Sequence, residues 1–511
     1  MNKYLDNALI YQIYPASFFD SDGDGIGDFK GIIAKIPYLR RLNVDVIWLN
    51  PVFLSPFMDG GYDVTDYSAL NPSFGSLGDL KELLTLCHLC NMKVLMDFIP
   101  GHTSVTHRWF RESCKSERNK YSDFYIWTGS WAEDEPHSLN GISDRNGCVL
   151  TNYYSFQPAL NYGYENPQKA WQIHYKDERL APLRNEIISV LKQWINFGFD
   201  GFRIDLASSL VKGRTTEEPL IWLWNNIISE IRTLKEDAIF LAEWGDPALS
   251  VGKCGFDIDY LNHENREYNS LLRLEENSNV LRYYEGGNSF FNIEGKGNFE
   301  KYAVFAKNLY ESVGDKGYFS FPSGYHDIPR ISVGRSEDGI KAFFAFLFTY
   351  KHMPQLYYGD EIGMSYNDKV SKYGGYQRTG ARTPMQWNSD LNRGFTTSRN
   401  PFLPVGEKAG QDVESQSSDE KSVLNTVVRL SLLRRTNRAF YVSSDLDIIE
   451  NGYPLVYERS AEGQKFIVLI NPSGQTFERT VKYSEAAESN NCEIKKDKII
   501  LKAESFAILK K

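Results

Sequence analysis

The chain has 511 residues, of which 42% are hydrophobic and 24% charged, and its formal net charge is −9. This length exceeds one ordinary hydrophobic core and predicts two or three domains, while the negative charge argues against nucleic acid or an anionic membrane as partner. The N-terminus lacks the apolar core of a signal peptide, and no later stretch approaches about 18 unbroken apolar residues. We therefore expect a soluble cytoplasmic protein.

Short apolar segments alternate with longer amphipathic segments through most of the chain, which predicts alternating strands and helices. The predicted strands cover residues 9–14, 46–49, 94–97, 201–205, 239–243, 256–260, 318–321 and 355–358. The clearest helical patterns cover residues 32–42, 77–91, 221–234 and 341–351, and a further helix begins at Pro182. Eight strands in this alternation exceed a small doubly wound domain and predict a (β/α)8 TIM barrel.

Two regions break this alternation. Residues 103–176 are polar and aromatic, which predicts a domain inserted after the third strand. After Arg438 the helical pattern stops and short hairpin-like strands follow, which predicts a C-terminal antiparallel β-domain. The expected order is a first barrel part at 1–102, an inserted domain at 103–176, a second barrel part at 177–438 and the β-domain at 439–511.

Six cysteines are scattered along the chain without the spacing of a disulfide framework. Cys87 and Cys90 have the spacing of a redox pair, but they lie within an apolar helical pattern and no second pair of metal ligands accompanies them. We predict that both are thiols of the core.

Aspartates alternate with small residues in the segment DSDGDGIGD, which begins at residue 20. This spacing suits a loop that wraps a hard divalent cation; the expected ligands are the side chains of Asp20, Asp22, Asp24 and Asp28 and the carbonyl oxygen of Ile26. An EF-hand needs glutamate twelve residues into the loop, where Gly31 stands. We expect structural Ca²⁺, with Mg²⁺ as a second possibility and an acidic turn without any ion as the alternative. No organic cofactor is expected.

The segment GFDGFRIDL, residues 198–206, reads as a helix end, a glycine turn and a buried strand that carries Arg203 and Asp205 to its tip. Burying an unpaired carboxylate costs several kcal/mol, so Asp205 is expected where the strand opens into a site, with Arg203 as its partner. An ordinary ion pair at the barrel rim is the alternative.

Three carboxylates, Asp205, Glu243 and Asp327, stand at the ends of predicted strands four, five and seven. In a barrel these ends converge on one mouth. Cleavage of a glycosidic bond uses a carboxylate that attacks the anomeric carbon and a carboxylic acid that protonates the leaving oxygen. Apolar neighbours, including Trp244, would favour the neutral form of Glu243, and Arg203 would keep Asp205 ionised.

Seven segments stand in a defined order, at residues 20–28, 59–67, 97–102, 201–205, 242–244, 326–330 and 378–387. They resemble the metal loop and conserved regions of the α-amylase superfamily, glycoside hydrolase family 13, and within it the oligo-1,6-glucosidase and α-glucosidase branch. One such motif would be weak, but seven in order over nearly the whole chain are specific.

The resemblance implies that Asp205 is the nucleophile, that Glu243 is the general acid and base, and that Asp327 holds the sugar 2- and 3-hydroxyls, with retention of the α-configuration. Arg203 would orient Asp205, His102 and His326 would bind hydroxyls of the same glucose, and Tyr62 would stack on its face. Asp59 with Arg378 would close the pocket beyond the non-reducing 4-hydroxyl. The resemblance therefore implies exo-action on short α-linked gluco-oligosaccharides or disaccharides.

Several positions depart from the family pattern. Gly101 stands where asparagine usually precedes the histidine, and because that asparagine helps hold a calcium in α-amylases, we predict that this calcium is absent. Ala159 stands for an aspartate in the excursion after the third strand. Tyr325 replaces an asparagine before His326. Leu206 follows the nucleophile, where valine accompanies α-1,6 and small residues accompany α-1,4 specificity, which slightly favours α-1,6 linkages.

Two other functions fit the same sequence. A transglycosylase or isomerase, such as a trehalose synthase or a sucrose-converting enzyme, would use the same glycosyl-Asp205 ester and differ in whether water or a sugar hydroxyl reaches it. A catalytically dead binding protein with this fold is the other possibility, although relatives of that kind have lost carboxylates that are present here.

Overall fold

The computed structural model describes residues 2–133, 135–140, 143–273, 288–370, 378–406 and 408–511. Eight strands close into the predicted barrel: β1 (Ile10–Ile13), β2 (Val46–Leu49), β3 (Lys93–Phe98), β4 (Gly201–Ile204), β5 (Ile239–Ala242), β6 (Ile258–Tyr260), β7 (Tyr318–Pro322) and β8 (Met353–Tyr357). Around the barrel the order is β1, β8, β7, β6, β5, β4, β3, β2. Each strand overlaps its predicted segment.

Residues that end these strands carry the site. Asp205 and Glu243 each come directly after a strand, β4 and β5, and in the parallel register Arg203 lies opposite Asp97 on β3. Gly201 begins β4 against β5, where a Cβ atom would lie 1.9 Å from the carbonyl oxygen of Ile239. Only glycine fits this close approach.

The helices follow the strands. They are α1 (Phe29–Ala34), α2 (Ile36–Arg41), α3 (Leu77–Leu89), α4 (Arg108–Ser113), α5 (Ala181–Phe197), α6 (Glu218–Arg232), α7 (Pro247–Ser250), α8 (Arg266–Leu272), α9 (Glu300–Val313), α10 (Glu337–Thr349), α11 (Val413–Ser417) and α12 (Val423–Thr436). The single helix predicted over residues 32–42 is two helices, because Pro37 lacks the N–H that would continue the first one. Among the described residues, no helix combines the length and apolar character needed to cross a membrane.

The C-terminal residues form the predicted antiparallel sheet. Its strands are β9 (Asp445–Asn451), β10 (Leu455–Ala461), β11 (Gln464–Asn471), β12 (Phe477–Thr480), β13 (Glu485–Lys495) and β14 (Lys498–Lys510). The order is β9, β10, β11, β14, β12, and β13 also pairs with β14. One face of the sheet covers a core of apolar side chains that includes Ile467, Leu469, Ile499 and Leu509.

The chain packs as two compact units. The first comprises Met1–Ile47, Leu86–Met92 and Tyr260–Lys511, and therefore includes the C-terminal sheet. The second comprises Trp48–Thr85 and Lys93–Asp259, and includes residues 103–176 together with β3, β4 and β5. The domain boundaries at residues 103, 177 and 439 stay a prediction.

A buried arginine ties the C-terminal sheet to helix α10 within the first unit. Arg459 on β10 is fully buried, and its guanidinium donates to the carbonyl oxygens of Thr349 (2.6 Å), Tyr441 (2.5 Å) and Asp445 (3.0 Å). The bond to Thr349 satisfies a carbonyl of the last turn of α10, which has no partner within the helix.

Replacement of Arg459 by methionine is expected to destabilise the protein by on the order of 3–5 kcal/mol, because buried carbonyl oxygens lose their donors. The midpoint of thermal unfolding measures this effect. Arg438→Met is the matched control, since its partner Glu462 and Arg438 itself are both more than half exposed; it should leave the midpoint unchanged. Equal midpoints for the two variants would contradict the role given to Arg459.

Candidate active site

In the second unit, the guanidinium of Arg203 contacts three carboxyl groups. Arg203 is fully buried, and its Nη1 lies 2.6 Å from Asp97 Oδ1 and 2.9 Å from Asp205 Oδ1. Its Nη2 lies 2.7 Å from Glu243 Oε2. The prediction that Arg203 is the partner of Asp205 is confirmed, but an ion pair at an exposed rim is not what forms, because Asp205 is only 5% exposed.

The cluster holds more carboxyl groups than positive charges, so it favours bound protons. The pKa of Asp205 is raised well above its usual range, first by burial and then by the charge of Glu243, and these effects outweigh Arg203. This differs from the expectation that Arg203 would keep Asp205 ionised.

Asp97 anchors the cluster and was not among the predicted site residues. Besides Arg203, it accepts hydrogen bonds through Oδ2 from Trp48 Nε1 (3.0 Å) and from the Tyr62 hydroxyl (2.8 Å). Burial raises the pKa of Asp97 to about 6, against the opposing effect of Arg203. Asn50 in turn donates to the Tyr62 hydroxyl at 2.7 Å, so the predicted sugar-stacking ring is fixed at its hydroxyl end.

His102 is a buried neutral imidazole. Burial lowers its pKa to about 4. Its Nε2 lies 2.9 Å from the carbonyl oxygen of Tyr62, and its Nδ1 lies 3.2 Å from the amide nitrogen of Asn152. Because a carbonyl oxygen only accepts, Nε2 carries the hydrogen and Nδ1 accepts from Asn152. Asn152 comes from the excursion after β3, and sequence reasoning missed it.

A lysine lies near Gly101, the position where the family pattern has asparagine. The ammonium of Lys212 is within hydrogen-bond distance of Asn152 Oδ1 (3.3 Å) and of the carbonyl oxygen of Ser209 (2.9 Å), and Asn152 also donates to the carbonyl oxygen of Gly101. Burial lowers the pKa of Lys212 to about 8. A second cation at the same place would be repelled by this ammonium. The absence of calcium there stays a prediction, now with a physical reason.

The excursion also contacts Asp59, one of the predicted substrate-binding residues. Gln157 donates through Nε2 to Asp59 Oδ2 at 2.7 Å, and both side chains are buried. Gln157 was not predicted, although it lies in the same motif as Ala159. The contact fixes one carboxylate oxygen of Asp59.

Leu206, which follows Asp205, has a left-handed backbone with φ of 47°. Such a conformation costs a leucine about 1–3 kcal/mol, and strain of this kind gathers at functional sites. Its N–H donates to Glu243 Oε2 at 2.9 Å. The strained turn therefore supplies a hydrogen bond to Glu243.

In the first unit, Asp327 lies among four positively charged or ionisable groups. Its Oδ1 lies 3.0 Å from Arg378 Nη1 and 2.9 Å from Arg382 Nη2, and its Oδ2 lies 3.2 Å from His326 Nε2. Burial alone would raise the pKa of Asp327, but the charges of His326, Arg378, Arg382 and His263 together hold it well below its usual range. Asp327 is therefore an ionised hydrogen-bond acceptor.

His326 and Arg382 are fixed in turn by the protein. Gln12 Nε2 lies 2.9 Å from His326 Nδ1, and the other ring nitrogen, Nε2, faces Asp327. Arg382 donates through Nε to the carbonyl oxygen of His326 at 3.0 Å. Arg382 was not predicted, although it stands four residues after Arg378 in the same motif.

Tyr325, a departure from the family pattern, holds a histidine from the loop after β6. Its hydroxyl lies 2.9 Å from the backbone nitrogen of His263 and 2.6 Å from His263 Nδ1. An asparagine is too short to reach as far as this phenol. The substitution therefore ties the loop after β6 to the residue that precedes His326.

The predicted ion loop brings three of its carboxylates together. Oxygen atoms of Asp20, Asp22 and Asp28 lie within 4.8 Å of one another. The Asp24 carboxylate lies outside this group and accepts from the N–H of Ile26 at 2.7 Å. Asp28 also caps helix α1 by accepting from the N–H of Gly31 at 2.7 Å. The donor set of hard oxygens fits Ca²⁺ or Mg²⁺.

Comparison with known proteins identifies the family of this chain. The family described as "Alpha amylase, catalytic domain" matches residues 12–442. Oligo-1,6-glucosidase of Parageobacillus thermoglucosidasius is 30% identical over 92% of this chain and 90% of its own length. Glucan 1,6-alpha-glucosidase of Streptococcus pneumoniae is 28% identical over 94% of this chain and 93% of its own length.

Solved structures share the fold. An inactive double mutant of MutB in complex with isomaltulose has a TM-score of 0.83 at 23% identity, with both chains covered completely. An isomaltulose synthase mutant from Erwinia rhapontici NX5 in complex with D-glucose has a TM-score of 0.81 at 21% identity, over 100% of this chain and 99% of the other.

The family model, which matches most of the chain, and the relatives named as glucosidases show that this protein is a glycoside hydrolase. The chain belongs to the α-amylase family, and its relatives place it in the oligo-1,6-glucosidase branch. The resemblance read from the seven motifs is thereby confirmed.

Proposed function

We propose that this protein is a retaining, exo-acting α-glucosidase that releases glucose from the non-reducing end of short α-glucosides. The observation that carries the proposal is the pair of Asp205 and Glu243, which stand directly after the adjacent strands β4 and β5 and both contact Arg203. Relatives named oligo-1,6-glucosidase support α-1,6 linkages over α-1,4, in the same direction as Leu206.

In this mechanism Asp205 attacks the anomeric carbon while Glu243 gives its proton to the leaving oxygen, and a β-glucosyl ester of Asp205 forms. The mechanism requires a proton on Glu243 when the sugar is bound, because the leaving oxygen needs it. Glu243 then takes a proton from water, which attacks the ester and releases glucose with the α-configuration. Arg203 orients both carboxyl groups through its fixed contacts.

The remaining predicted residues are assigned to the bound glucose. Asp327, ionised and acceptor-only, suits hydrogen bonds from the 2- and 3-hydroxyls that strengthen as the ring flattens towards the oxocarbenium ion. His102 and His326 are assigned to hydroxyls of the same glucose and Tyr62 to its face. Asp59 and Arg378 are assigned to the non-reducing end, where they would exclude longer chains.

Time-resolved NMR with isomaltose, maltose, sucrose and trehalose tests this function, with Asp205→Asn as the inactive control. We expect free α-glucose before mutarotation, released fastest from isomaltose. New glycosidic signals without free glucose would show that the protein catalyses isomerisation or transfer instead of hydrolysis. An unchanged spectrum with all four sugars would overturn the proposal for these substrates.

We also propose that the loop of Asp20, Asp22 and Asp28 holds Ca²⁺ in a structural role. Because Asp28 caps α1, occupancy of the loop should stabilise the fold. After treatment with EDTA, added Ca²⁺ is expected to raise the midpoint of thermal unfolding, by about 2.7 kcal/mol in stability at a hundredfold excess over Kd. The Asp22→Asn variant should lose most of this response, since Asp22 is exposed and replaceable without repacking. An equal midpoint in EDTA and Ca²⁺ would mean that the loop binds no ion.

A further inference from the structure

A buried aspartate on β6 contacts the backbone that follows Glu243. Asp259 Oδ1 accepts from the N–H groups of Trp244 (3.2 Å) and Gly245 (3.1 Å). Its Oδ2 lies 2.7 Å from the hydroxyl oxygen of Ser250, in helix α7. In the strand register Asp259 lies opposite Ala242, the residue before Glu243. One carboxyl group thus holds the chain immediately after the strand end that carries Glu243.

This carboxyl group is costly to bury. Asp259 is fully buried, and among the described residues no cation forms a salt bridge with it. Burial raises its pKa to about 7, and the charge of Asp246 adds to the effect. A buried acid with a perturbed pKa beside a candidate catalytic residue is a candidate for a functional role.

We propose that Asp259 is a positioning residue for the general acid: it fixes the turn at Trp244 and Gly245 and thereby aims the Glu243 carboxyl at the leaving oxygen. Gly245 has a left-handed backbone with φ of 77°, so this turn departs from the extended strand directly after Trp244. Without the two hydrogen bonds to Asp259, the turn would lose acceptors for two adjacent N–H groups. A displacement of about 1 Å at a catalytic group can cost about 100-fold in rate.

The inference rests on the proposed role of Glu243 and predicts a specific kinetic signature. A misplaced acid harms a substrate whose leaving group needs a proton, such as isomaltose, more than an aryl α-glucoside with a good leaving group, such as 2,4-dinitrophenyl α-glucoside. The ratio of kcat/KM for these two substrates reports the acid step. A merely structural loss would lower both values by the same factor.

The chain offers a matched control on the same segment. Asp257 Oδ2 accepts from the N–H of Phe240 at 2.8 Å and from Arg232 at 2.8 Å, so it is a partly buried acid that also holds the backbone of β5. It contacts the beginning of β5, however, and not the turn after Glu243. Asp257→Ala should therefore lower stability without changing the ratio of the two kcat/KM values.

Asp259→Ala is expected to lower kcat/KM for isomaltose by about 10- to 100-fold while the aryl glucoside loses less than threefold. Asp259→Asn keeps an acceptor for the two N–H groups and should stay close to the parent ratio. Ser250→Ala should change the ratio in the same direction as Asp259→Ala, by a smaller factor.

If Asp259→Ala lowers kcat/KM by the same factor for both substrates, the ratio stays as in the parent and the proposal is overturned. If the alanine variant does not fold, an unchanged ratio in Ser250→Ala overturns it instead. Glu243→Ala, assayed in parallel, distinguishes failure of the acid role from failure of the positioning role. An unchanged ratio of the two kcat/KM values in Glu243→Ala refutes the acid role of Glu243. A changed ratio in Glu243→Ala together with an unchanged ratio in Asp259→Ala refutes only the positioning role of Asp259.

Discussion

Replacing Asp205 by asparagine is expected to lower kcat for isomaltose by about 10⁴- to 10⁶-fold, in the range seen when a nucleophile is removed. The amide has the shape of the carboxyl group but cannot form the glucosyl ester. The fold should not suffer, because the change removes a negative charge from a cluster in which three carboxyl groups share one guanidinium. Steady-state kinetics with a thermal melt of the same sample measure both effects.

The variant Asp205→Gly, with a smaller side chain, allows a stereochemical test of the role of Asp205 as nucleophile. Azide can enter the space left by the carboxyl group and attack the anomeric carbon from the same side. The expected product is β-glucosyl azide, with inverted configuration. More than a tenth of the parent activity in Asp205→Asn would show that another residue is the nucleophile.

Replacement of Glu243 by glutamine is expected to lower kcat/KM for isomaltose by about 10²- to 10⁴-fold, the usual contribution of general acid catalysis. Glutamine keeps an oxygen that can accept from the N–H of Leu206, which lies 2.9 Å from Glu243 Oε2, so the turn should persist. The loss in kcat/KM should nearly vanish for 2,4-dinitrophenyl α-glucoside, whose leaving group needs no proton.

With a variant of Glu243, azide is expected to give the anomer opposite to the one expected from Asp205→Gly. In Glu243→Ala the ester on Asp205 still forms from the aryl glucoside, and azide attacks it from the face that water uses. The expected product is therefore α-glucosyl azide. Formation of the β-anomer in Glu243→Ala would show that the roles assigned to Asp205 and Glu243 are reversed.

The barrel could be predicted because its strands are short apolar runs that end in polar residues. The C-terminal sheet was harder to predict in detail. Strand β14 spans 13 residues, whereas the sequence shows two apolar runs separated by polar residues around Glu504, which has a positive φ of 49°. Strands β9 and β13 are partly exposed and have no apolar run, so only their pairing reveals them.

The polar segment of residues 408–421 contains helix α11. Asp412 caps α11 by accepting from the N–H of Ser415 at 2.8 Å, and Gln416 is buried. A polar composition concealed this segment, because the side chains that order it are themselves polar. The same effect concealed Asn152 and Gln157, which reach site residues from about 50 and 98 positions away in the sequence.

Some contacts in the site depend on strand register and could not be predicted from the sequence. The pairing of Arg203 with Asp205 follows from alternation within one strand. Its contacts with Asp97 and Glu243 depend on how β3, β4 and β5 align, which one sequence does not reveal. Asp259 was passed over for the same reason, since its contacts lie on the neighbouring strand.

Trapping of the covalent intermediate tests the central claim most directly. Incubation with 5-fluoro-α-glucosyl fluoride, which forms the ester quickly and loses it slowly, should add the mass of one fluorinated hexosyl group to the intact protein. Peptide mapping should place this group on Asp205, and Asp205→Asn should acquire none. Labelling of another carboxylate, or turnover of isomaltose with β-glucose as the first product, would contradict a retaining mechanism through Asp205.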